Sequence, residues 1–343
     1  MSDSPIRAVI IDDQAAMRQA LAQLLDAEPD VQVVGRAGDG EEGLKVVFQT
    51  QPDLVLLDLE MPRLDGFAFL RLLMAKRPTP VIVVSSHATR ESVFKALELG
   101  ALEFVAKPVR REGTLDVNAI RADLLSKVRL SRRLQAVTLT ERARAHTQQV
   151  AQSGRPASGP PERRQIQPGA FPERLLCIGA STGGPTSILT LLMALDATLP
   201  VSILITQHMP EKFTRAFAER LERATRWAVR EAEPGDLVLA GQVLVAPGAW
   251  SLRVARDGPY LRVLPPLEGE SREQGFVPSV DRMLESAALA AGPQLIAAIL
   301  TGMSGDGVKG ALAVHAAGGR VLAEAPESAI IAGMPEEVIR SGA

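Results

Sequence analysis

The 343-residue chain is poor in the residue types that mark several common protein classes. Its single cysteine, Cys177, excludes an internal disulfide, and only four histidines argue against a histidine-rich metal site. No apolar run is long enough to span a bilayer, and the N-terminal MSDSPIRAVIIDD lacks the cationic start and apolar middle of a signal peptide. A formal net charge of -2 gives no electrostatic footprint for nucleic acid. The sequence therefore predicts a cytoplasmic protein with no direct membrane insertion and no nucleic acid partner.

Length and hydrophobic pattern predict two α/β domains, because the chain is too long for one ordinary core. In its first part, apolar runs such as AVII, DLVLLDL and PVIVVSS alternate with helical stretches such as AAMRQALAQLLDAE. This alternation is typical of parallel βα units in a doubly wound sheet. From about Glu173 it resumes with RLLCIGA, VSILITQ and QLIAAILTG, and the runs DLVLAGQVLVAP and LRVARDGPYLRVL predict a β-rich insertion in this second parallel-sheet domain.

The segment between the two domains is basic. Between Arg129 and Arg164 there are eight arginines and two glutamates, and SGRPASGPPERR is rich in Pro, Gly and Ser, which indicates a solvated linker. A docking role for these charges stays open as an alternative. The predicted boundaries are 1–130 for the first domain, 131–172 for the linker and 173–343 for the second domain. The second domain has 15 basic and 19 acidic residues and no helix-turn-helix pattern, which disfavours a DNA-binding output domain.

Polar side chains follow the predicted strands of the first domain. Asp12 and Asp13 end the first strand, Asp58 the third, Ser85 the fourth and Lys107 the fifth. Because the carboxyl ends of parallel strands meet at one crevice, the carboxylates should converge and favour a hard cation such as Mg²⁺. Lys107 can pair with phosphoryl oxygens as a compact charge. Each residue alone could simply cap a buried strand, but together they predict a phosphorylation site.

The stretch LLCIGASTGGP raises a second question, since it places Ser181 in a glycine-rich turn after an apolar strand. GASTG matches the G-x-S-x-G nucleophile elbow, and Pro185 suits the start of a helix. Glycine-rich strand-to-helix turns also bind phosphate, so this stretch alone leaves a nucleophile, a phosphate loop and a plain turn open.

A serine nucleophile needs a base, and the base needs an orienting acid. His208 directly follows the strand VSILITQ, and Asp306 follows LIAAILTG within LTGMSGDG. Three separate strand ends thus carry Ser181, His208 and Asp306, which favours a Ser-His-Asp triad at one sheet edge. Its chain order differs from that of the α/β-hydrolases, so the topology should differ too.

These motifs resemble those of known families. VIIDDQ, LVLLDLEMPRLDG, VVSS and AKP, in this order, resemble the flavodoxin-like receiver domain of two-component response regulators over about the first 125 residues. IGASTGGP, QHMP and LTGMSGDG behind a receiver resemble the chemotaxis protein-glutamate methylesterases, the CheB family, over essentially the whole chain.

The resemblance implies roles for individual residues. In the receiver, it makes Asp58 the phosphoacceptor, Asp12, Asp13, Asp58 and the carbonyl of Glu60 the Mg²⁺ ligands, and Ser85, Phe104 and Lys107 the switch. In the second domain, it makes Ser181 the nucleophile, His208 the base and Asp306 its orienting acid, with Thr182 and the Met303 N–H as oxyanion or supporting groups.

The implied activity is a phosphorylation-activated serine hydrolase that demethylates glutamate methyl esters, and deamidates glutamines, on methyl-accepting chemoreceptors. A CheA-type histidine kinase would be the phosphodonor, and Mg²⁺ would serve the receiver while ester hydrolysis needs no cofactor. Packing of the unphosphorylated receiver against the catalytic crevice would explain the activation. Two alternatives stay open: a phosphorylation-controlled binding protein with an inactive esterase domain, and an esterase for a non-chemotaxis protein. The chain ends at EEVIRSGA, where members of the family usually continue for a short segment.

Overall fold

The computed structural model describes residues 4–85, 90–108, 116–133, 172–270 and 275–343. The chain divides into two compact units, residues 1–155 and 156–343. Most of the predicted basic linker, 131–172, lies outside the described residues, so its boundaries and its docking alternative stay predictions. No helix of the described ranges is long and apolar enough to cross a membrane.

The first unit is a five-stranded parallel sheet flanked by helices. The strands are β1 (Ile6–Ile11), β2 (Val31–Ala37), β3 (Leu54–Leu57), β4 (Val81–Ser85) and β5 (Glu103–Ala106). The helices are α1 (Ala15–Asp26), α2 (Gly40–Thr50), α3 (Gly66–Lys76), α4 (Arg90–Glu98) and α5 (Arg121–Leu130). The strand order β2-β1-β3-β4-β5 is the doubly wound, flavodoxin-like order, which confirms the predicted fold.

Burial explains why these strands read as continuous apolar runs. Every residue of β3 and β4 is buried, as expected for central parallel strands whose two faces are both covered by helices. Helix α1 turns Met17, Leu21 and Leu25 towards the same core, at the four-residue spacing of one helix face. Aspartates start the next two helices, since Asp39 and Asp65 accept backbone N–H groups at the first turns of α2 and α3.

The second unit contains a six-stranded parallel sheet and a separate antiparallel hairpin. Its strands are β6 (Arg174–Ala180), β7 (Val201–Gln207), β8 (Ala228–Glu231), β9 (Gln242–Val245), β10 (Val254–Asp257), β11 (Tyr260–Val263), β12 (Leu295–Ile299) and β13 (Arg320–Ala323). Its helices are α6 (Gly184–Ala194), α7 (Glu211–Ala224), α8 (Val280–Ala291), α9 (Val308–Ala316) and α10 (Gly333–Ser341). The predicted β-rich insertion is therefore only partly separate from the main sheet. Strand β9 and the unpredicted β8 join the main sheet, whereas β10 and β11 form the hairpin.

The order of the main sheet brings three strand ends together. It runs β13-β12-β6-β7-β9-β8, so β6 has β12 on one side and β7 on the other. Ile299 of β12 pairs with Gly179 of β6, and Ala180 of β6 pairs with Gln207 of β7. After β6 the chain adds β7 on one side of it, and later adds β12 on the other side. The carboxyl end of β6 is therefore a topological switch point. The residues that follow these three strands therefore line one crevice.

Candidate functional site

The turn after β6 has the conformation of a nucleophile elbow. Strand β6 ends at Ala180 and α6 begins at Gly184, so Ser181 lies in a three-residue connection. Gly183 adopts a left-handed φ of 78°, and a Cβ there would lie 2.4 Å from the Ile330 side chain. The Ser181 N–H donates to the carbonyl of Thr301 at 3.0 Å, and its own carbonyl accepts from Gly184 at 2.9 Å. The predicted strand-turn-helix context of GASTG is confirmed.

A buried amide that the sequence analysis missed fastens this turn to the neighbouring strand. Gln207 Nε2 donates to the carbonyl of Ser181 at 2.7 Å and to that of His208 at 3.2 Å. A Cβ on Gly184 would lie 2.0 Å from Gln207 Oε1, so the glycine leaves room for the amide. The single signal in the sequence was a polar residue closing the apolar run VSILITQ. Gln207 thus ties the two connections that carry Ser181 and His208.

His208 and Asp306, which follow two different strands, form a partly buried pair. His208 Nε2 lies 2.8 Å from Asp306 Oδ2. The carboxylate also accepts the backbone N–H of Val280 at 2.7 Å and that of Asp281 at 2.9 Å, both in the first turn of α8, where a helix dipole favours an anion. The Ser279 hydroxyl donates to Oδ1 at 2.9 Å. Burial by itself would raise the pKa of Asp306, but the hydrogen bond and charge of His208, followed by the hydrogen bonds from Asp281 and Val280, lower it.

The pairing at Nε2 decides which imidazole nitrogen is left for the serine. With Nε2–H donating to Asp306, Nδ1 keeps its lone pair and can accept a proton. Ser181 is half-buried, and its hydroxyl makes no hydrogen bond to another residue that the structure describes. Catalytic hydrogen bonds of this kind often tighten only when substrate is bound. One face of the His208 ring stacks on Phe276, a contact that the sequence did not indicate.

The predicted oxyanion groups lie on the two turns that meet at Ser181. A Cβ on Gly302 would lie 2.7 Å from the Ser181 Cβ, so the turn before Met303 packs directly against the serine. Within the described ranges, the backbone N–H groups of Thr182 and Met303 have no protein acceptor, whereas the N–H of Ser181 is bonded to Thr301. Two unpaired donors beside a serine are the elements of an oxyanion hole.

The first unit brings its predicted phosphorylation residues together. Lys107 Nζ lies 2.7 Å from Asp12 Oδ2 and 2.5 Å from Asp58 Oδ2, and all three side chains are buried. Oxygens of Asp12, Asp13 and Asp58 all lie within 4.8 Å of one another. Three converging carboxylates fit a small hard cation such as Mg²⁺.

The charges in this cluster are unbalanced. Burial raises the pKa of Asp12, and the charge of Asp58 adds to the rise, while Lys107 only partly offsets it. Burial alone would lower the pKa of Lys107, but its hydrogen bonds to Asp12 and Asp58 outweigh burial and raise it. One retained ammonium therefore faces three carboxylates. A divalent cation stabilises such a cluster most, because it neutralises the excess negative charge.

The remaining predicted receiver residues lie around this cluster. Ser85 is the buried last residue of β4, and its carbonyl accepts the backbone N–H of Lys107 at 3.0 Å. Phe104 is buried in β5; its carbonyl accepts from Lys127 Nζ at 2.7 Å, and its ring faces the same ammonium at 5.4 Å. Glu60 follows Asp58 by two residues, and its N–H donates to Asp58 Oδ1 at 3.4 Å. The assigned roles of these residues stay predictions.

Comparisons with known proteins identify the family of each part of the chain. A family model described as CheB methylesterase matches residues 176–343, and one described as response regulator receiver domain matches residues 8–117. A protein-glutamate methylesterase/protein-glutamine glutaminase of Anaeromyxobacter dehalogenans is 45% identical over 98% of this chain and 91% of its own length. One from Pseudomonas aeruginosa is 40% identical over 99% of this chain and 92% of its own length. The crystal structure of the Thermotoga maritima CheB methylesterase catalytic domain is 38% identical over 49% of this chain and 88% of that chain, with a TM-score of 0.47.

Proposed function

The chain belongs to the CheB family of protein-glutamate methylesterases with an N-terminal receiver domain, and we propose that Ser181, His208 and Asp306 are its catalytic triad. It is a phosphorylation-regulated protein-glutamate methylesterase and protein-glutamine glutaminase of chemotaxis. The observation that carries the triad is the partly buried 2.8 Å contact between His208 Nε2 and Asp306 Oδ2, beside a serine in a nucleophile elbow. A binding protein without turnover would have no need for this pair.

In the first half of the reaction, His208 Nδ1 takes the hydroxyl proton of Ser181 as Oγ attacks the glutamyl ester carbonyl. The N–H groups of Thr182 and Met303 hold the oxygen that becomes negative. His208 then gives its proton to the leaving methoxide, which departs as methanol, and a glutamyl acyl-enzyme remains. With a glutamine substrate the same steps release ammonia.

In the second half, neutral His208 removes a proton from water, which attacks the acyl carbon. The tetrahedral intermediate collapses, Ser181 Oγ leaves with the proton from His208, and the product is a glutamate side chain. Asp306 stays ionised throughout, because its hydrogen bonds lower its pKa, and it stabilises the imidazolium of each half-reaction. The triad does this chemistry without a cofactor.

In the receiver, we propose that Asp58 is the phosphoacceptor, fed by a histidine kinase of the CheA type. Asp12, Asp13, Asp58 and the Glu60 carbonyl would hold Mg²⁺, which neutralises phosphoryl charge when it is bound. Lys107, whose ammonium already pairs with Asp12 and Asp58, would bond a phosphoryl oxygen. Ser85 and Phe104 would form, with Lys107, the switch that responds to phosphorylation. The proposed substrates are methylated chemoreceptors, and the proposed compartment is the cytoplasm that such a kinase shares.

The test is methanol release from a methylated chemoreceptor cytoplasmic fragment, with and without Mg²⁺ and a small phosphodonor. The chain should release methanol, and the phosphodonor should increase the rate. Ser181→Ala should abolish release, and Asp58→Asn should keep the basal rate but lose the increase. No release from the intact chain in any condition would favour the binding-protein alternative, whereas release only from other methylated proteins would favour the non-chemotaxis esterase.

A further inference from the structure

An aromatic side chain stacks on the catalytic imidazole. The rings of Phe276 and His208 have centroids 4.8 Å apart and planes within 6° of parallel. Phe276 remains 48% exposed, whereas the side chain of His208 is only 13% exposed. A large apolar side chain that is half open to water gains little from burial, so its position calls for another explanation than core packing.

Glu270, before Phe276 in the chain, and Ser279, after it, take part in one buried polar network. On one side, the buried Glu270 carboxylate accepts the N–H and the hydroxyl of Ser251 at 3.0 and 2.5 Å and pairs with Arg282 at 2.5 Å. On the other side, the N–H of Ser279 donates to the Ser251 hydroxyl at 3.0 Å. Phe276 thus lies three residues before a residue that also bonds Asp306. The same network therefore reaches the proposed acid of the triad through Ser279.

The two contacts to His208 restrain different motions. The hydrogen bond to Asp306 fixes one ring nitrogen but allows the ring to pivot about that atom and about its own Cβ–Cγ bond, since terminal torsions of histidine are broad. A parallel ring against the imidazole face removes these pivots. The π-face of a phenyl ring also attracts a cation, and the imidazole becomes a cation each time it takes the proton of serine or water.

We propose that Phe276 is a positioning residue for ester hydrolysis, which holds the His208 imidazole in plane with Asp306 and stabilises the imidazolium formed during attack. The proposal rests on the proposed role of His208 as general base. Phe276 need not touch the substrate to act in this way, so its contribution belongs to the chemical step. Its removal should therefore lower kcat and leave KM nearly unchanged.

The experiment compares three full-length variants in the methanol-release assay at saturating phosphodonor. Phe276→Leu keeps an apolar side chain without a ring face, Phe276→Tyr keeps the ring, and Tyr260→Leu removes an aromatic ring from the β10–β11 hairpin as the matched control. We expect kcat of Phe276→Leu to fall about tenfold with KM changed less than about twofold, because small losses of orientation have large effects on rate. Phe276→Tyr should retain at least about half of kcat, and Tyr260→Leu should match the unaltered chain.

The outcomes separate this proposal from the function on which it rests. A raised KM with unchanged kcat in Phe276→Leu would make Phe276 a substrate contact and overturn the positioning role. So would a Phe276→Tyr variant as slow as Phe276→Leu, or a Phe276→Leu variant as fast as the unaltered chain. His208→Gln, measured alongside, tests the general base: its full activity would refute the proposed function, whereas an inactive His208→Gln with a fully active Phe276→Leu would refute only the positioning role.

Discussion

His208 meets Asp306 through Nε2, at 2.8 Å, and not through Nδ1. In the serine proteases of the chymotrypsin type the orienting acid binds Nδ1 and the base is Nε2. Here Nε2 is the nitrogen paired with the acid, so in the proposed triad Nδ1 is left to act as the base for Ser181. The proposed triad thus assigns the same three roles with the ring reversed, on a parallel sheet whose loops carry serine, histidine and aspartate in that chain order.

Replacing Asp306 by asparagine should test this tautomer directly. The side-chain amide of the Asp306→Asn variant can present its NH₂ to Nε2 of His208, which would then act as acceptor and move the proton to Nδ1, where it blocks the base. We expect kcat to fall about 10⁴-fold, the loss found when the acid of such a triad becomes an amide. The measurement is methanol release by Asp306→Asn, with the exposed Glu337→Gln as a matched acid-to-amide control that should remain active. A loss smaller than about tenfold would contradict the assigned hydrogen-bond direction.

The lowered pKa of Asp306 also predicts how stability depends on pH. The folded state favours the ionised form of Asp306 more than the unfolded state does. The contribution of Asp306 to stability is therefore complete above its unfolded pKa of about 3.9. It is lost as the pH falls through the lower folded pKa. The difference in unfolding free energy between the unaltered chain and Asp306→Asn should therefore shrink as the pH drops from about 5 towards about 3. Urea titrations at several pH values measure it, and a difference that grows on acidification would contradict the prediction.

Lys107 should be needed for the stability of the receiver because it is the buried cation of an acidic cluster. Lys107→Met leaves Asp12 and Asp58 buried without their ammonium, a change of the kind that costs about 3–5 kcal/mol. Millimolar Mg²⁺ should reduce this loss, since a divalent cation replaces the missing charge. Denaturation in EDTA and in Mg²⁺ measures both effects, with the exposed Lys76→Met as control, expected within about 0.5 kcal/mol of the unaltered chain. Equal stability of Lys107→Met and the control in EDTA would refute the argument.

The N-cap of α8 links helix stability to catalysis. The Ser279 hydroxyl accepts the N–H of Arg282 and donates to Asp306, so Ser279→Ala removes a helix cap and one bond to the triad acid. We expect a loss of about 1 kcal/mol in stability and about tenfold in kcat, because Asp306 keeps its other partners. Ser328→Ala, on an exposed turn, is the control. Unchanged kcat in a Ser279→Ala variant with the expected stability loss would show that the remaining bonds suffice to orient Asp306.

The residues that the sequence placed correctly are those with a local signature. The central strands β3 and β4 are buried on both faces and read as apolar runs. Ser181 and His208 directly follow such strands, and Asp306 lies in the loop after another, seven residues beyond Ile299. Strand β8 was missed because it is a four-residue strand at the sheet edge with partly exposed residues, AVRE. The Gln207 amide and the Phe276 ring were missed for another reason. Their partners lie 26 and 68 positions away in the chain, and no periodicity encodes which distant groups they meet.

Gly184 allows the sharpest test of the elbow, because an added methyl group has nowhere to go. Its Cβ would lie 2.0 Å from Gln207 Oε1 and 2.7 Å from the Ala180 Cβ, so the buried amide or the strand end must shift. Either shift moves the carbonyl of Ser181 that Gln207 holds. We expect Gly184→Ala to lose about 1–3 kcal/mol of stability and about 100-fold in kcat, as overpacking and misplacement of a nucleophile predict.

Gly305, in the turn that leads to Asp306, is the matched control for this substitution. A Cβ there would meet no atom within 4 Å, so Gly305→Ala adds the same methyl group in the same crevice without a clash. Methanol release and urea denaturation of the two variants, measured side by side, isolate the steric effect. If Gly305→Ala is as slow as Gly184→Ala, the loss of activity comes from restricting the backbone of the crevice. If only Gly184→Ala is slow, the loss comes from the clash with the Gln207 amide, which holds Ser181 in its attacking position.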